Sequence, residues 1–176
     1  MNAEQLRSIQ GPLKEKYRAD PESALITLRA TGRALDGLSC KVETGRAVVE
    51  AGLHPATGGD GTLACSGDML LEALAACAGV TLRAVATATG VELRDAMVTA
   101  EGDLDVRGTL GAAKEVPVGF QRIRLHFALA TDASEEQLAT LIRLTERYCV
   151  VYQTLRQSPE TRVSCSITPH APRSAA

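Results

Sequence analysis

Five cysteines are the residues of this 176-residue chain whose type and spacing first suggest chemistry. Two of them, Cys77 and Cys149, fall within the two longest segments that show helical periodicity. Packed helices could bring their sulfur atoms together, since a disulfide needs Cα atoms within about 7 Å of each other. Reversible thiol oxidation is therefore one hypothesis for this pair. The residues alone favour the other hypothesis, that both cysteines fill a core.

The other three cysteines give weaker evidence of a chemical role. Cys40 and Cys165 lie on the apolar faces of predicted strands, and we interpret both as core-filling residues. Cys65 directly precedes a predicted helix, where a thiolate can be stabilised, but that position alone assigns it no role. Because a free cysteine has a pKa of about 8.5, a reactive Cys77 needs a cation nearby. The chain has no CxxC pair and three histidines, so we predict no zinc site.

The first long helix is predicted over residues 66–89. Ser66 is a candidate N-cap, Asp68 suits the positive first turn, and Gly90 suits the position after the last turn. Small and apolar residues lie nearly all round it, which is typical of a buried helix. The stripe predicted to carry the first cysteine inward consists of Leu70, Leu74, Cys77, Thr81 and Val85.

The second long helix is predicted over residues 134–156. Ser134 and Gln137 have the spacing of a capping box, which marks its start. Charged residues lie on the opposite side of this helix, so that face is expected to be exposed to solvent. The inward stripe is predicted to be Leu138, Ile142, Thr145, Cys149 and Tyr152.

Strands account for most of the remaining chain. Residues 24–52 read as two strands that turn at Asp36-Gly37, and residues 91–130 as two more, the second placing His126 on a solvated face. A last strand is predicted through Val163, Cys165 and Ile167. Residues 2–18 are predicted to be helical, with an interruption at Gly11-Pro12 and an end at Asp20-Pro21. The glycine-rich stretch 54–64 matches no phosphate-binding pattern and is interpreted as a connection.

Charge and hydropathy exclude several classes of protein. With 19 basic and 21 acidic residues the net charge is −2, which predicts no binding to nucleic acid or to an anionic membrane. Residues 1–20 lack the apolar stretch of a secretion signal. The apolar run Met69–Leu82 contains Glu72 and is too short to span a bilayer. We therefore expect a cytoplasmic protein whose cysteines are mostly reduced.

Several stretches resemble the OsmC/Ohr family, the osmotically inducible and organic hydroperoxide resistance proteins. The first cysteine motif of that family is similar to Gly58–Gly61, Asp68–Cys77 and Thr81–Arg83 taken together, and the second is similar to Glu146–Leu155. The order of predicted elements also matches, over roughly residues 22–168. The leading helix, residues 1–21, is an extension like that in part of the family, and residues 169–176 are expected to be a disordered tail.

The resemblance implies an α+β fold in an intertwined homodimer, with two central cysteine-bearing helices wrapped by antiparallel sheets. It implies a peroxidase in which Cys77 is the peroxidatic thiolate and Cys149 the resolving thiol. Organic hydroperoxides would be the substrates, with hydrogen peroxide a poorer one, and a dithiol would reopen the disulfide. This route uses no metal or organic cofactor.

Relatives that reduce hydroperoxides pair an arginine with a glutamate beside the peroxidatic sulfur. The resemblance implies Arg33 for the first, with Arg46 as a second choice, and Asp68 for the second. The proline that often follows the second cysteine is Val150 here. These departures leave an alternative open, that the chain is a small-molecule-binding or redox-sensing dimer with little peroxidase activity.

Overall fold

The computed structural model describes residues 3–35, 39–42 and 51–165, and for residues 3–7, 10, 27–35 and 39–42 it describes the backbone alone. Short 3-10 turns occupy Pro21–Ala24 and Pro55–Thr57. The described helices and strands are, in chain order, α1 (Ala3–Ala19), β1 (Leu25–Leu35), β2 (Ser39–Val42), β3 (Ala51–Gly52), β4 (Ala64–Cys65), α2 (Ser66–Thr89), β5 (Asp95–Asp105), α3 (Val106–Thr109), β6 (Phe120–Ala130), α4 (Glu135–Tyr148) and α5 (Val150–Arg156).

An antiparallel sheet in the order β2-β1-β5-β6 forms one layer of the protein. Leu35 pairs with Ser39, so a pair of antiparallel strands is confirmed over Leu25–Leu35 and Ser39–Val42, while the predicted turn at Asp36-Gly37 and residues 43–50 of the second strand lie outside the described part. Ala96, Val98 and Ala100 of β5 are buried, whereas Met97 is 40% exposed. This alternation follows from the two-residue period of a strand, and it shows that one face of the sheet is covered. The predicted α+β class is confirmed.

Helix α2 covers that face. Its predicted bounds, 66–89, are confirmed, and Gly90 ends it with a φ of 69°, a left-handed conformation that glycine adopts without steric cost. The predicted stripe is partly wrong, because Leu70 is 38% exposed while the neighbouring Leu71 is fully buried. The buried face is therefore rotated by about one residue from the predicted one. It consists of Leu71, Leu74, Ala75, Ala78, Gly79, Leu82, Val85 and Ala86.

Helices α4 and α5 pack against α2. The predicted capping box is confirmed, since the Ser134 hydroxyl accepts from the Gln137 N–H and the Gln137 side chain accepts from the Ser134 N–H. The prediction of one continuous helix is wrong. Cys149 has φ −71° and ψ 106°, an extended conformation that ends α4 and precedes α5. A backbone rotation at one residue is enough to divide a helix, because it turns the next N–H away from its carbonyl partner.

The two ends of the chain also differ from prediction. Helix α1 runs without division through Pro12 and ends before Pro21, as predicted for its end. The predicted strand at Val163 is not present in residues 158–165, which have no regular structure, and residues from 166 onward lie outside the described part. Val163 is 99% exposed. A strand needs a neighbouring strand to hydrogen-bond with, and within the described ranges none pairs with this segment.

A second, smaller hydrophobic cluster lies at the end of the sheet where β5 leads into α3. Its buried members are Tyr17, Ala24, Val106 and Leu110. The Tyr17 hydroxyl donates to the Ala56 carbonyl at 2.8 Å, which joins α1 to the loop before β4. The N-terminal helix is thereby fixed to the body of the protein.

One helix of the described chain, α2, is long and apolar enough to span a membrane by length and composition. The prediction from residues 69–82 considered only part of it. Nearly half of its most apolar window is buried inside the protein, by the sheet and the other helices. A helix at the core of a globular protein has the same composition, so this finding gives only weak support for a membrane span.

Candidate active site

The structure brings the two helix-borne cysteines together. Cys149 and Cys77 are neighbours in the main hydrophobic core, and neither is in a disulfide. Cys149 is fully buried, whereas Cys77 is half-buried. Two adjacent thiols of unequal exposure are able to form a disulfide after one of them is oxidised from outside.

Helix α2 positions Cys77. The residue lies in the middle of an unbroken 24-residue helix, at the edge of the stripe that packs against the sheet. Its neighbours on either side along the chain, Ala76 and Ala78, have small side chains. This edge position explains why Cys77 contacts the core and still keeps part of its surface accessible.

The break between α4 and α5 positions Cys149. Its N–H donates to the Thr145 carbonyl at 2.9 Å, the last helical bond of α4. Its carbonyl accepts from the Gln153 N–H at 2.9 Å, the first helical bond of α5. Cys149 therefore belongs to both helices, and the bend at this residue sets the direction of its side chain.

The pKa of the Cys149 thiol is raised to about 11, mainly by burial and in smaller part by the adjacent Cys77 sulfur. The peptide N–H groups of Tyr152 and Val151 lie toward the sulfur and oppose this rise in pKa. At neutral pH the Cys149 thiol is therefore protonated. It can donate its hydrogen to a negative sulfur on Cys77.

Asp68 lies in the first turn of α2, nine residues before Cys77. Nine residues correspond to two and a half turns, so the two side chains leave opposite sides of the helix at positions roughly 13 Å apart along its axis. Burial raises the pKa of Asp68, and the nearby His54 opposes this. Burial also raises the pKa of Glu72, with Asp68 as the second cause. The structure thus places Asp68 in a group with His54 and Glu72.

His54 belongs to this group and was not singled out from the sequence. Its Nδ1 accepts the Ala56 N–H at 3.0 Å, so in the neutral ring the proton is on Nε2. A histidine that caps the turn at Pro55–Thr57 gives no sequence signal beyond the following proline.

The two candidate arginines cannot be placed at the sulfur. Arg33 lies in β1, in register with Lys41 of β2 and Met97 of β5, and only its backbone is described. Arg46 lies outside the described residues. A guanidinium that the sequence did not suggest lies on α5, where Arg156 is 5.9 Å from the centroid of the Tyr152 ring.

The remaining cysteines are separate from this pair. Cys165 is exposed, so its interpretation as a core residue is wrong, because the strand that would have buried it is absent from residues 158–165. Cys65 is half-buried and lines a cavity of about 190 Å³ with His54 and Leu104. Cys40 lies in β2, described by its backbone alone. Over the described ranges, no three histidine, cysteine or acidic side chains are grouped to hold a metal ion.

Comparison with known proteins agrees with this architecture. The family model described as OsmC-like protein matches residues 59–164, more than half of the chain. No curated protein sequence matches the chain.

Two solved structures are similar to the fold. The crystal structure of an OsmC-like hydroperoxide resistance protein from Jannaschia sp. CCS1 has a TM-score of 0.60 and 19% identity, and the match covers 82% of this chain and 95% of that chain. The crystal structure of an OsmC-like protein from Mycoplasma pneumoniae has a TM-score of 0.53 and 18% identity, with 76% and 86% covered. At these identities the similarity shows the fold, and function has to be argued from the site.

Proposed function

Because this chain belongs to the OsmC-like protein family, we propose that it is a thiol-dependent peroxidase that reduces organic hydroperoxides and, more weakly, hydrogen peroxide. The observation that carries the proposal is the contact between a half-buried thiol, Cys77, and a fully buried one, Cys149. The hydroperoxide resistance named for the Jannaschia protein agrees with this chemistry.

In the first step the Cys77 thiolate attacks the distal oxygen of the hydroperoxide. The O–O bond breaks, Cys77 becomes a sulfenic acid, and the organic fragment leaves as an alkoxide that takes up a proton from solvent and becomes an alcohol. In the second step the Cys149 sulfur attacks the sulfenic sulfur, which forms the Cys77–Cys149 disulfide and releases water. A dithiol then supplies two electrons and two protons and restores both thiols.

The unequal surroundings of the two sulfurs support this assignment of roles. The attacking group must be a thiolate that the substrate can reach. Burial hides Cys149 and keeps its thiol protonated, whereas Cys77 retains accessible surface. Cys149 also lies where it contacts the Cys77 sulfur, as a resolving thiol requires.

Apolar side chains surround the pair and favour an apolar substrate. Tyr152, Leu138 and Leu155 pack against the same cluster as both cysteines. We further propose that an arginine, Arg33 or Arg46, stabilises the Cys77 thiolate. The position of Asp68 beside His54 favours the alternative of a redox-sensing or small-molecule-binding dimer, because it lies away from the sulfur along α2.

We also propose that the protein works as an intertwined homodimer in the cytoplasm. Apolar side chains that a single chain leaves uncovered support a partner copy, because large apolar patches seldom remain in water. Tyr148 and Val150 flank Cys149 along the chain and are 56% and 71% exposed, and Leu70, two helical turns before Cys77, is 38% exposed. A cytoplasmic location would keep both thiols reduced between turnovers.

Stopped-flow mixing of the reduced protein with cumene hydroperoxide tests the proposal. Cys77→Ser should lower hydroperoxide consumption by at least about 100-fold, because a hydroxyl is not ionised at neutral pH. Cys149→Ser should consume one equivalent and then accumulate a sulfenic acid that dimedone traps. Cys65→Ser is the matched control, since Cys65 is also half-buried but lines the cavity beside His54, and it should leave the rate unchanged.

Two outcomes would reject a peroxidase. Consumption that persists in Cys77→Ser would exclude Cys77 as the reacting sulfur. A single slow oxidation of the wild type without repeated turnover in the presence of a dithiol would support the redox-sensing alternative instead.

A further inference from the structure

The break at Cys149 leaves a backbone carbonyl in need of a new donor. In a continuous helix the Glu146 carbonyl would accept from the Val150 N–H. The ψ of 106° at Cys149 turns the Val150 peptide away from that direction. Glu146 is half-buried, so a carbonyl without a donor there would be costly.

The side chain of Gln153 supplies the donor. Its Nε2 donates to the Glu146 carbonyl oxygen at 2.7 Å, across the break and seven residues back along the chain. The carbonyl oxygen can only accept, which fixes the amide orientation. Gln153 also donates its backbone N–H to the Cys149 carbonyl, so one residue contacts both sides of the break.

Nothing in the local backbone chemistry forces the break. A proline at position 150 would do so, because a residue before proline is disfavoured in the helical region. Position 150 is a valine, and its side chain is 71% exposed and makes little packing contact to hold the bend. The bond from Gln153 spans the break and would be lost in a straight helix, so it favours the bent junction.

We propose that Gln153 is a positioning residue that holds the α4–α5 break and thereby keeps the Cys149 sulfur against Cys77 for disulfide formation. The inference rests on the proposed function. It concerns the second step, from sulfenic acid to disulfide, and leaves the attack of Cys77 on the hydroperoxide untouched. Straightening the junction would rotate Cys149 out of its present direction while Cys77 stays fixed on α2.

The test separates the two steps by stopped flow with cumene hydroperoxide. Gln153→Leu keeps the approximate size of the side chain and removes the donor, so disulfide formation should slow by about tenfold, as expected for loss of one bond to a half-buried carbonyl. Consumption of the first equivalent of hydroperoxide should keep its wild-type rate. Gln157→Leu is the matched control, because Gln157 is exposed at the end of α5, and both steps should be unchanged.

A rescue distinguishes positioning from general damage to the fold. Proline is tolerated at the first position of a helix, which is where residue 150 stands in α5. Adding Val150→Pro to Gln153→Leu should impose the bend by backbone chemistry and return the disulfide rate to within about twofold of wild type. A loss that Val150→Pro fails to restore, or that affects both steps equally, would overturn the proposal, as would a wild-type disulfide rate in Gln153→Leu.

The same variants are measured with diamide, which oxidises dithiols without a hydroperoxide. If the wild type consumes no hydroperoxide but Gln153→Leu still slows the diamide-driven Cys77–Cys149 disulfide, the proposed function fails and the positioning role of Gln153 stands. If Gln153→Leu forms that disulfide at the wild-type rate, the positioning role fails whatever the peroxidase activity.

Discussion

Asp105 and Cys149 are two buried ionisable groups with opposite behaviour. Asp105 is 2% exposed and Cys149 is not exposed at all. The side-chain hydrogen bonds of Arg107 lower the pKa of Asp105, whereas burial raises the pKa of Cys149. Burial alone therefore does not decide the charge of a group in this protein, and the partner does.

Asp105 and Cys149 have different partners because they lie in different structural surroundings. Asp105 caps α3, accepting from the Arg107 N–H at 3.0 Å and from its guanidinium at 2.5 Å. It joins β5 to the small cluster that contains Tyr17. Cys149 lies among aliphatic side chains, with another sulfur and two peptide N–H groups as its polar neighbours. The surroundings of Asp105 stabilise its charged carboxylate, and the surroundings of Cys149 keep its thiol uncharged.

The largest effect should come from removing the fixed charge. Asp105→Ala deletes a helix cap and leaves the Arg107 guanidinium, whose side chain is 18% exposed, without its carboxylate. We expect the free energy of unfolding to fall by about 2–3 kcal/mol. This corresponds to a Tm lower by about 8 °C for a chain of this size, measurable by thermal unfolding followed by circular dichroism.

The pH dependence of that loss provides its control. The folded pKa of Asp105 lies below the unfolded value, so its stabilisation is complete above the ordinary carboxyl range and is lost as pH falls through the folded pKa. The difference between wild type and Asp105→Ala should therefore shrink below about pH 4. Asp132→Ala, which breaks an exposed pair with Arg94, should leave Tm unchanged. Equal losses of Tm in Asp105→Ala and Asp132→Ala would show that the buried Asp105–Arg107 pair stabilises the protein no more than the exposed one.

A smaller effect is expected on the alkaline side, from Cys149. Its folded pKa is about 11 and its unfolded value near 9, so its contribution is complete below pH 9 and is lost as pH rises toward 11. Under reducing conditions the wild type should lose about 2 kcal/mol more stability than Cys149→Ser over this interval. Urea unfolding at a series of pH values measures the difference. Parallel curves for the two proteins would show that the thiol is not held neutral by the fold.

The smallest effect is expected from Tyr17, an uncharged residue of the small hydrophobic cluster beside Asp105. Tyr17→Phe removes the hydrogen bond to the Ala56 carbonyl and keeps the ring packed, so stability should fall by about 1 kcal/mol. Tyr148→Phe is the matched control, since Tyr148 is 56% exposed, and it should have no effect on urea unfolding. If both variants behave alike, α1 is not anchored through this hydroxyl.

The sequence predicted those features that depend on local signals. Gly90 after an apolar helix and the capping box at Ser134 place the helix ends correctly, because caps act within one turn. The rotation of α2 escaped prediction because Leu70 and Leu71 are both leucines, and only the sheet decides which is covered. The family resemblance of both cysteine motifs predicted the fold and drew attention to the thiol pair.

The break at Cys149 was missed for a physical reason. Neither glycine nor proline marks residues 147–151, and the interaction that spans it comes from Gln153, whose side chain gives no such signal in sequence. The strand at Val163 is the opposite case, because the sequence predicted it and residues 158–165 do not form it. An alternating pattern indicates a strand, but a strand forms only where a neighbour accepts its hydrogen bonds.

The most direct measurement is peptide mapping by mass spectrometry after one equivalent of cumene hydroperoxide is added to the reduced protein. One disulfide is expected to form, between Cys77 and Cys149, while Cys40, Cys65 and Cys165 remain free thiols. A disulfide that involves any of these other three cysteines, with Cys77 and Cys149 both still reduced, would contradict the proposed roles of the pair.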